Sequence, residues 1–350
     1  MYKKLKLTRR SVVSAAVVAI LAAQMGTLSS AYAQSTQPKL AQPDISLSAS
    51  HDPWGPLKHV HAGVLDVAYA EMGPANGPVV ILLHGWPYDI HSYQDVAPAL
   101  AAKGYRVLVP YARGYGETRF LSNSTMRNAE PAALAVDAID FMDALHIKRA
   151  VFGGFDWGAR SADIVAALWP ERVKALVSVS GYLIGSQESG RTPLPPKAEY
   201  QWWYQYYFAT QRGYIGYEKN HHDFAKLIWQ LASPKWNFDD TIYERSARAL
   251  DNPDHVAITI HNYRWRLGLV NGEAKYDKLE QRLAQAPKIS VPTITLEGDA
   301  NGAPHPQPEA YAKQFIGKYQ FRLITGGIGH NLPEEAPQAF TQAVIDADNL

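Results

Sequence analysis

The chain has no cysteine among its 350 residues, which excludes disulfide staples, thiolate nucleophiles and cysteine-based metal sites. It has no charge excess either: 34 lysines and arginines are balanced by 33 aspartates and glutamates, with a formal net charge of +1. Nothing in that balance would draw the chain to nucleic acid or to an anionic membrane surface. Beyond residue 33 no apolar run is long enough to cross a bilayer, so no stable membrane association is expected after processing. Internal repeats and cofactor-binding motifs are also missing, so no cofactor or resident metal is expected.

What is present begins with an N-terminus that reads as an address. Lys3, Lys4, Lys6, Arg9 and Arg10 precede an apolar stretch from Val12 to about Leu28, and Ala31-Tyr32-Ala33 supplies a cleavage site. Thr8-Arg9-Arg10-Ser11-Val12-Val13 resembles a twin-arginine signal, so residues 1–33 are expected to be removed after export by the twin-arginine translocase to the periplasm or beyond. Their removal takes away five cations and no anion, leaving a slightly acidic protein. Residues 34–57 are aperiodic and rich in Gln, Ser, Pro and Asp, and read as an extended lead-in. The remainder is long enough to bury one large core.

From Val60 onward strand and helix patterns alternate. The stretch from His61 to Ala70 is strand-like, and Val79–Leu83 is a continuous apolar run of the kind buried on both faces of a parallel sheet. Tyr105–Pro110, Arg149–Gly153 and Ala175–Ser180 repeat the strand signature, with helical patterns at Val96–Lys103, Ala132–Leu145 and Ser161–Leu168 between them. Such alternation implies an α/β fold with a doubly wound, mostly parallel sheet. It stops at about residue 183, where a stretch dense in Tyr, Trp and His reads as helical, and resumes after residue 287 with strands at 291–296 and 320–324. The expected organisation is a core in two parts, 58–182 and 288–350, with a helical cap inserted at 183–287.

The chemistry concentrates at Gly153-Gly154-Phe155-Asp156-Trp157-Gly158-Ala159. An apolar strand ends in a small-x-Asp-x-small turn and enters a helix, the pattern of a nucleophile elbow. The residue at its tip is Asp156, where a serine is more usual. A carboxylate is already ionised near neutral pH and can attack a saturated carbon to form an ester of the enzyme itself. His84-Gly85-Trp86-Pro87 follows the third expected strand and is placed to give the Trp86 N–H to an oxyanion hole, with the Trp157 N–H as the other donor. The base is expected just past the last strand, at His330 in Gly326-Gly327-Ile328-Gly329-His330. The acid that orients it falls in Glu297-Gly298-Asp299-Ala300-Asn301; Asp299 is preferred, with Glu297 and Asn301 as competitors. His221-His222 and His261 read as solvated or packed, since nothing near them in the sequence offers matching metal ligands.

Together with Arg113-Gly-Tyr-Gly116, these motifs make most of residues 58–350 resemble the α/β-hydrolase superfamily, and in particular its epoxide hydrolase and haloalkane dehalogenase branch. In many relatives the acid stands three residues after the glycine, where this chain has Asn301. The resemblance implies two cap tyrosines that hold and protonate an epoxide oxygen. Tyr204, in the aromatic run Tyr200–Phe208, and Tyr263, in His261-Asn-Tyr-Arg264, match those positions. It therefore implies opening of an epoxide by water to a vicinal diol, and the aromatic composition of the cap suggests an apolar or aromatic one. Two alternatives stay open. One is dehalogenation by the same nucleophile, with the Trp157 indole, assisted by Trp86, holding a halide. The other is a non-catalytic ligand-binding protein on the same fold. Fluoroacetate-type dehalogenases place Arg directly after the nucleophile; this chain has Trp157 there and keeps only the second arginine, Arg160.

Overall fold

The computed structural model describes residues 54–350; the expected export signal and nearly all of the lead-in lie outside the described residues. Nine strands form one sheet: β1 (Lys58–Ala62), β2 (Leu65–Met72), β3 (Val79–Leu83), β4 (Arg106–Pro110), β5 (Arg119–Phe120), β6 (Ala150–Gly154), β7 (Val173–Val179), β8 (Thr293–Gly298) and β9 (Tyr319–Ile324). Their order is β1-β2-β4-β3-β6-β7-β8-β9, with β5 beside β2. Every pairing that involves β2 is antiparallel and every other pairing is parallel. The fold is the α/β-hydrolase fold, a doubly wound, mostly parallel sheet. One detail departs from the sequence reading: the stretch from His61 to Ala70 is not one strand, because the turn at Gly63-Val64 folds it into the β1–β2 hairpin.

The apolar runs form strands because both of their faces are covered. In β3, Val80 and Leu82 pack into one apolar layer while Ile81 and Leu83 pack into the other, as alternation along a strand requires. The first layer is closed by α1 (Val96–Ala101) and the C-terminal helix Pro337–Asp348, through Val96, Leu100, Phe340 and Val344. The second is closed by α2 (Pro131–Ala144) and α3 (Trp157–Leu168), through Phe141, Met142, Ile164 and Val165. From β3 the chain runs to β4 on one side, and β6 lies on the other. The carboxyl ends of β3 and β6 therefore meet at the switch point where open α/β sheets hold their ligands.

Between β7 and β8 the chain is helical: α4 (Gln187–Gly190), α5 (Pro196–Gln201), α6 (Trp203–Ala209), α7 (Gln211–Ala232), α8 (Asp240–Ala247), α9 (His255–Arg266) and α10 (Asp277–Leu283). After β8 come α11 (Pro308–Tyr311), α12 (Leu332–Glu335) and α13, the Pro337–Asp348 helix. Aromatic contacts fasten the helical region to the core. Trp229 of α7 stacks on Tyr88 at 4.8 Å and donates its indole N–H to the Pro87 carbonyl at 3.0 Å. Among the described residues no helix is long and apolar enough to cross a membrane.

Candidate active site

Asp156 sits where β6 turns into α3, with φ 51° and ψ −123°, a conformation that costs a non-glycine residue of order 1–3 kcal/mol. The neighbouring glycines are what permit it. A Cβ on Gly158 would lie 1.9 Å from the Leu83 carbonyl oxygen, and one on Gly85 would lie 2.4 Å from Asp156 Oδ1. Helix and loop can press on the turn only because those atoms are missing. With Gly85 in place, the Trp86 N–H donates to Asp156 Oδ1 at 2.8 Å. Trp157 opens α3, so its N–H has no acceptor within the helix. His84 ties the start of the His84–Pro87 loop to the chain after β4: its buried Nε2 accepts the Ala112 N–H at 3.1 Å. Burial also lowers its pKa, keeping the ring neutral.

His330 arrives on the other side of the carboxylate. Its Nε2 lies 3.4 Å from Asp156 Oδ2, and its Nδ1 lies 3.2 Å from Asn301 Oδ1. The sequence preference for Asp299 as the orienting acid is therefore corrected. Asp299 Oδ1 accepts the N–H groups of Gly327 and Ile328 at 2.8 and 2.9 Å, and its Oδ2 accepts that of Gly326 at 3.1 Å. It braces the glycine loop that carries His330 and does not touch the ring. Asn301 occupies the orienting place, and its Nδ2 donates to Glu297 Oε1 at 2.8 Å. Since a carboxylate can only accept, Glu297 turns the amide so that its oxygen faces the imidazole. The side chains follow one another as Glu297, Asn301, His330 and Asp156.

Two residues that hold this loop escaped the sequence reading. Ser233, at the end of α7, accepts the His330 N–H at 2.9 Å and donates to Glu335 Oε1 at 2.6 Å. Glu335 also takes the N–H groups of Gly329 and Asn331. Glu335 follows the histidine motif closely enough to be suspected, whereas Ser233 stands almost a hundred residues upstream and nothing local marks it.

The roof is aromatic. Tyr204 from α6 and Tyr263 from α9 meet with ring centroids 5.3 Å apart, and each also packs against Trp86, at 5.2 and 5.1 Å. The Tyr263 hydroxyl approaches that of Tyr204. Burial pushes both phenols well above their ordinary pKa, and the negative charge of Asp156 pushes them further. The Trp86 indole N–H is committed to the Tyr217 hydroxyl at 2.9 Å, so it is not free to assist a halide. The buried Trp157 indole N–H makes no regular hydrogen bond and approaches the Tyr263 hydroxyl. A cavity of about 420 Å³ opens between floor and roof, lined by Asp156, Tyr204, His330, Arg160, Leu183 and Ile228 among others. Tyr263 lies behind Tyr204, and only 1% of its surface is exposed.

Other motif residues are structural. Arg113 is buried in a two-pronged ion pair with Asp137, both contacts at 2.6 Å. His261 links two backbone groups, accepting from Ala129 N–H and facing Asn271 O, each at 3.1 Å. His221 and His222 are the exception to the expectation of solvated or packed histidines, because the fold brings Asp251 to both of them.

Comparison with known proteins agrees with this geometry. A family profile described as the alpha/beta hydrolase fold matches residues 78–214. The crystal structure of a candidate epoxide hydrolase from Klebsiella pneumoniae is 64% identical, superposes with a TM-score of 0.85, and is matched over 85% of this chain and 99% of that one. Epoxide hydrolase A of Mycobacterium tuberculosis is 27% identical over 79% of this chain and 92% of its own length. A haloalkane dehalogenase of Mycobacterium marinum is 34% identical over 37% of this chain, and the match spans 42% of that protein. The chain is a hydrolase that belongs to the α/β-hydrolase superfamily, in the branch that holds epoxide hydrolases and haloalkane dehalogenases.

Proposed function

We propose that the protein hydrolyses apolar or aromatic epoxides to vicinal diols through an ester on Asp156. The observation that carries this reading is the buried phenol of Tyr204, backed by Tyr263, facing the cavity that also holds a carboxylate fixed by the Trp86 amide. With Oδ1 fixed by that amide, Oδ2 attacks a ring carbon. The carbon–oxygen bond breaks and the phenols deliver a proton to the oxygen, which would otherwise leave as an alkoxide. Timing favours the transfer. The charge of Asp156 helps to hold both phenol pKa values up, and esterification removes that charge as the proton is needed.

Hydrolysis then uses the second set of groups. His330 Nε2 takes a proton from water as it attacks the carboxyl carbon of Asp156. The bond from that carbon to Oδ2 then breaks, the imidazolium protonates the departing diol oxygen, and the proton left on the new carboxyl returns to the phenolate. The charge that develops on Oδ1 is met by the Trp86 and Trp157 N–H groups. Asn301, turned by Glu297, stabilises the imidazolium through its amide oxygen, less strongly than a carboxylate would. Dehalogenation is the weaker reading, because the Trp86 indole N–H is committed to Tyr217 and cannot join Trp157 in holding a halide.

His330→Gln should form the ester and fail to release it. Mass spectrometry after treatment with styrene oxide should show an adduct on the Asp156 peptide; an unmodified peptide would count against the scheme. For the wild type, styrene oxide should yield diol while a bromoalkane yields no bromide above background. The basic start and Ala31-Tyr32-Ala33 support export through the twin-arginine translocase. N-terminal sequencing of periplasmic protein should begin at Gln34, and a retained Met1 would refute that.

A further inference from the structure

The cap carries a second cluster of chemically capable side chains, away from the cavity. His221 and His222 are consecutive in α7, and on a regular helix they would diverge by about 100°. Here α7 is broken at Asn220, which has φ −134° and ψ 29°. Both imidazoles consequently turn toward Asp251, the last residue of the 3-10 turn Arg248–Asp251. Asp251 Oδ1 lies 2.9 Å from His222 Nε2 and 3.7 Å from His221 Nε2, and one ligand atom from each of the three falls within 4.8 Å of the others.

The arrangement of the facing atoms points to a cation. His221 Nδ1 faces the Glu218 carbonyl oxygen at 3.4 Å, so in the neutral ring the proton sits on Nδ1 and the Nε2 lone pair is free for a metal. That Nε2 is buried and accepts from no donor; its neighbour is a carboxylate oxygen, itself only an acceptor. With the ring neutral, the two acceptors facing each other across 3.7 Å leave room for a cation between them. Bonds of about 2.0–2.1 Å at tetrahedral angles separate neighbouring ligand atoms by about 3.3 Å, midway between the two spacings found here. Two imidazole nitrogens and one carboxylate suit a zinc-like ion and not magnesium or calcium, which prefer oxygen ligands.

We propose that His221, His222 and Asp251 bind one divalent transition-metal ion of the zinc class, with its fourth position open to water. The site would join the break in α7 to a segment already pinned to the core. Ala249 O accepts the Gly116 N–H at 2.8 Å, and Asn252 Nδ2 donates to Thr118 O at 2.7 Å. Helix α7 also carries Tyr217, which holds Trp86, and is capped by Ser233, which holds the His330 loop. A metal at the break therefore steadies the roof without touching the reacting atoms, and the inference stands independently of the proposed reaction.

The test uses untagged full-length protein stripped with a chelator, then dialysed against zinc or magnesium. Wild type should retain one zinc per chain and melt at a higher temperature in zinc, with no shift in magnesium. Cobalt(II) in the same site should give the visible absorption of a four-coordinate ion. Asp251→Asn and His221→Gln should lose the zinc shift and the cobalt band while melting close to metal-free wild type. Absence of zinc retention in wild type, or a zinc response unchanged in both variants, overturns the proposal and leaves an ordinary histidine–aspartate ion pair.

Discussion

The floor of the cavity is made of backbone: the Trp86 amide, the strained turn at Asp156, and glycines that admit neighbouring chain to within 2.5 Å of where a Cβ would stand. The roof is made of rings: Tyr204, Tyr263, Phe208, Tyr217 and Phe224 packed on one another and on Trp86 at centroid distances of 4.9–6.4 Å. A backbone floor has one arrangement and no slack. The aromatic roof is held by area and by a few hydroxyls, and its rings adjust to their neighbours. Attack and oxyanion stabilisation should therefore fail abruptly on small changes to the floor. The roof should keep its fold while losing protonation in steps.

The sharpest test of that contrast lies in the roof. Tyr204→Phe and Tyr263→Phe remove one oxygen each from rings that otherwise keep their packing. Each should lower the rate of ester formation by about 10²-fold, and the pair together by about 10⁴-fold, with melting temperatures near wild type. Single-turnover kinetics read this directly, and an unchanged alkylation rate in the double variant would remove the phenols from the mechanism. On the floor a single methyl should suffice. Gly85→Ala places its Cβ 2.4 Å from Asp156 Oδ1, and displacement of the carboxylate should cost about 10²-fold in the same step. A variant with wild-type alkylation would show the floor to be looser than described.

The two candidates in the β8 loop give a smaller and opposite pair of effects. Asn301→Ala should slow release of the ester by about 10-fold to 100-fold through loss of imidazole orientation, leaving alkylation intact. Asp299→Asn should leave both steps unchanged and act on stability instead. Desolvation raises the Asp299 pKa, but the N–H groups of Gly326, Gly327 and Ile328 outweigh it and hold the carboxyl below its ordinary value. A lowered folded-state pKa contributes stability above the unfolded value that is lost as pH falls through the folded one. The melting-temperature deficit of the variant should therefore be present near neutral pH and shrink in acid. A deficit that grows on acidification would contradict this.

Which parts of this were legible in the sequence follows the same division. The floor was readable because backbone demands appear as residue types in fixed order. Gly85, Gly154 and Gly158 surround an Asp at the end of an apolar run, and the strands and helices on either side carry periods of 2 and 3.6. Tyr204 and Tyr263 stand out only through family resemblance, since an aromatic run looks the same whether it packs or donates protons. The orienting residue was misplaced because Asp299 and Asn301 share one loop, and only the fold shows that Asp299 is spent on backbone N–H groups. Ser233 and the meeting of Asp251 with His221 and His222 depend on contacts between distant segments, and no local pattern announces them.

The central claim is that the Asp156 carboxyl gains and then loses a covalent bond to substrate in each cycle. With enzyme in excess over styrene oxide, one turnover in oxygen-18 water should leave the heavy atom on Asp156 and deliver unlabelled oxygen to the diol. Label found in the diol from that first turnover, with none on Asp156, would mean that water attacks the epoxide directly and would contradict the account.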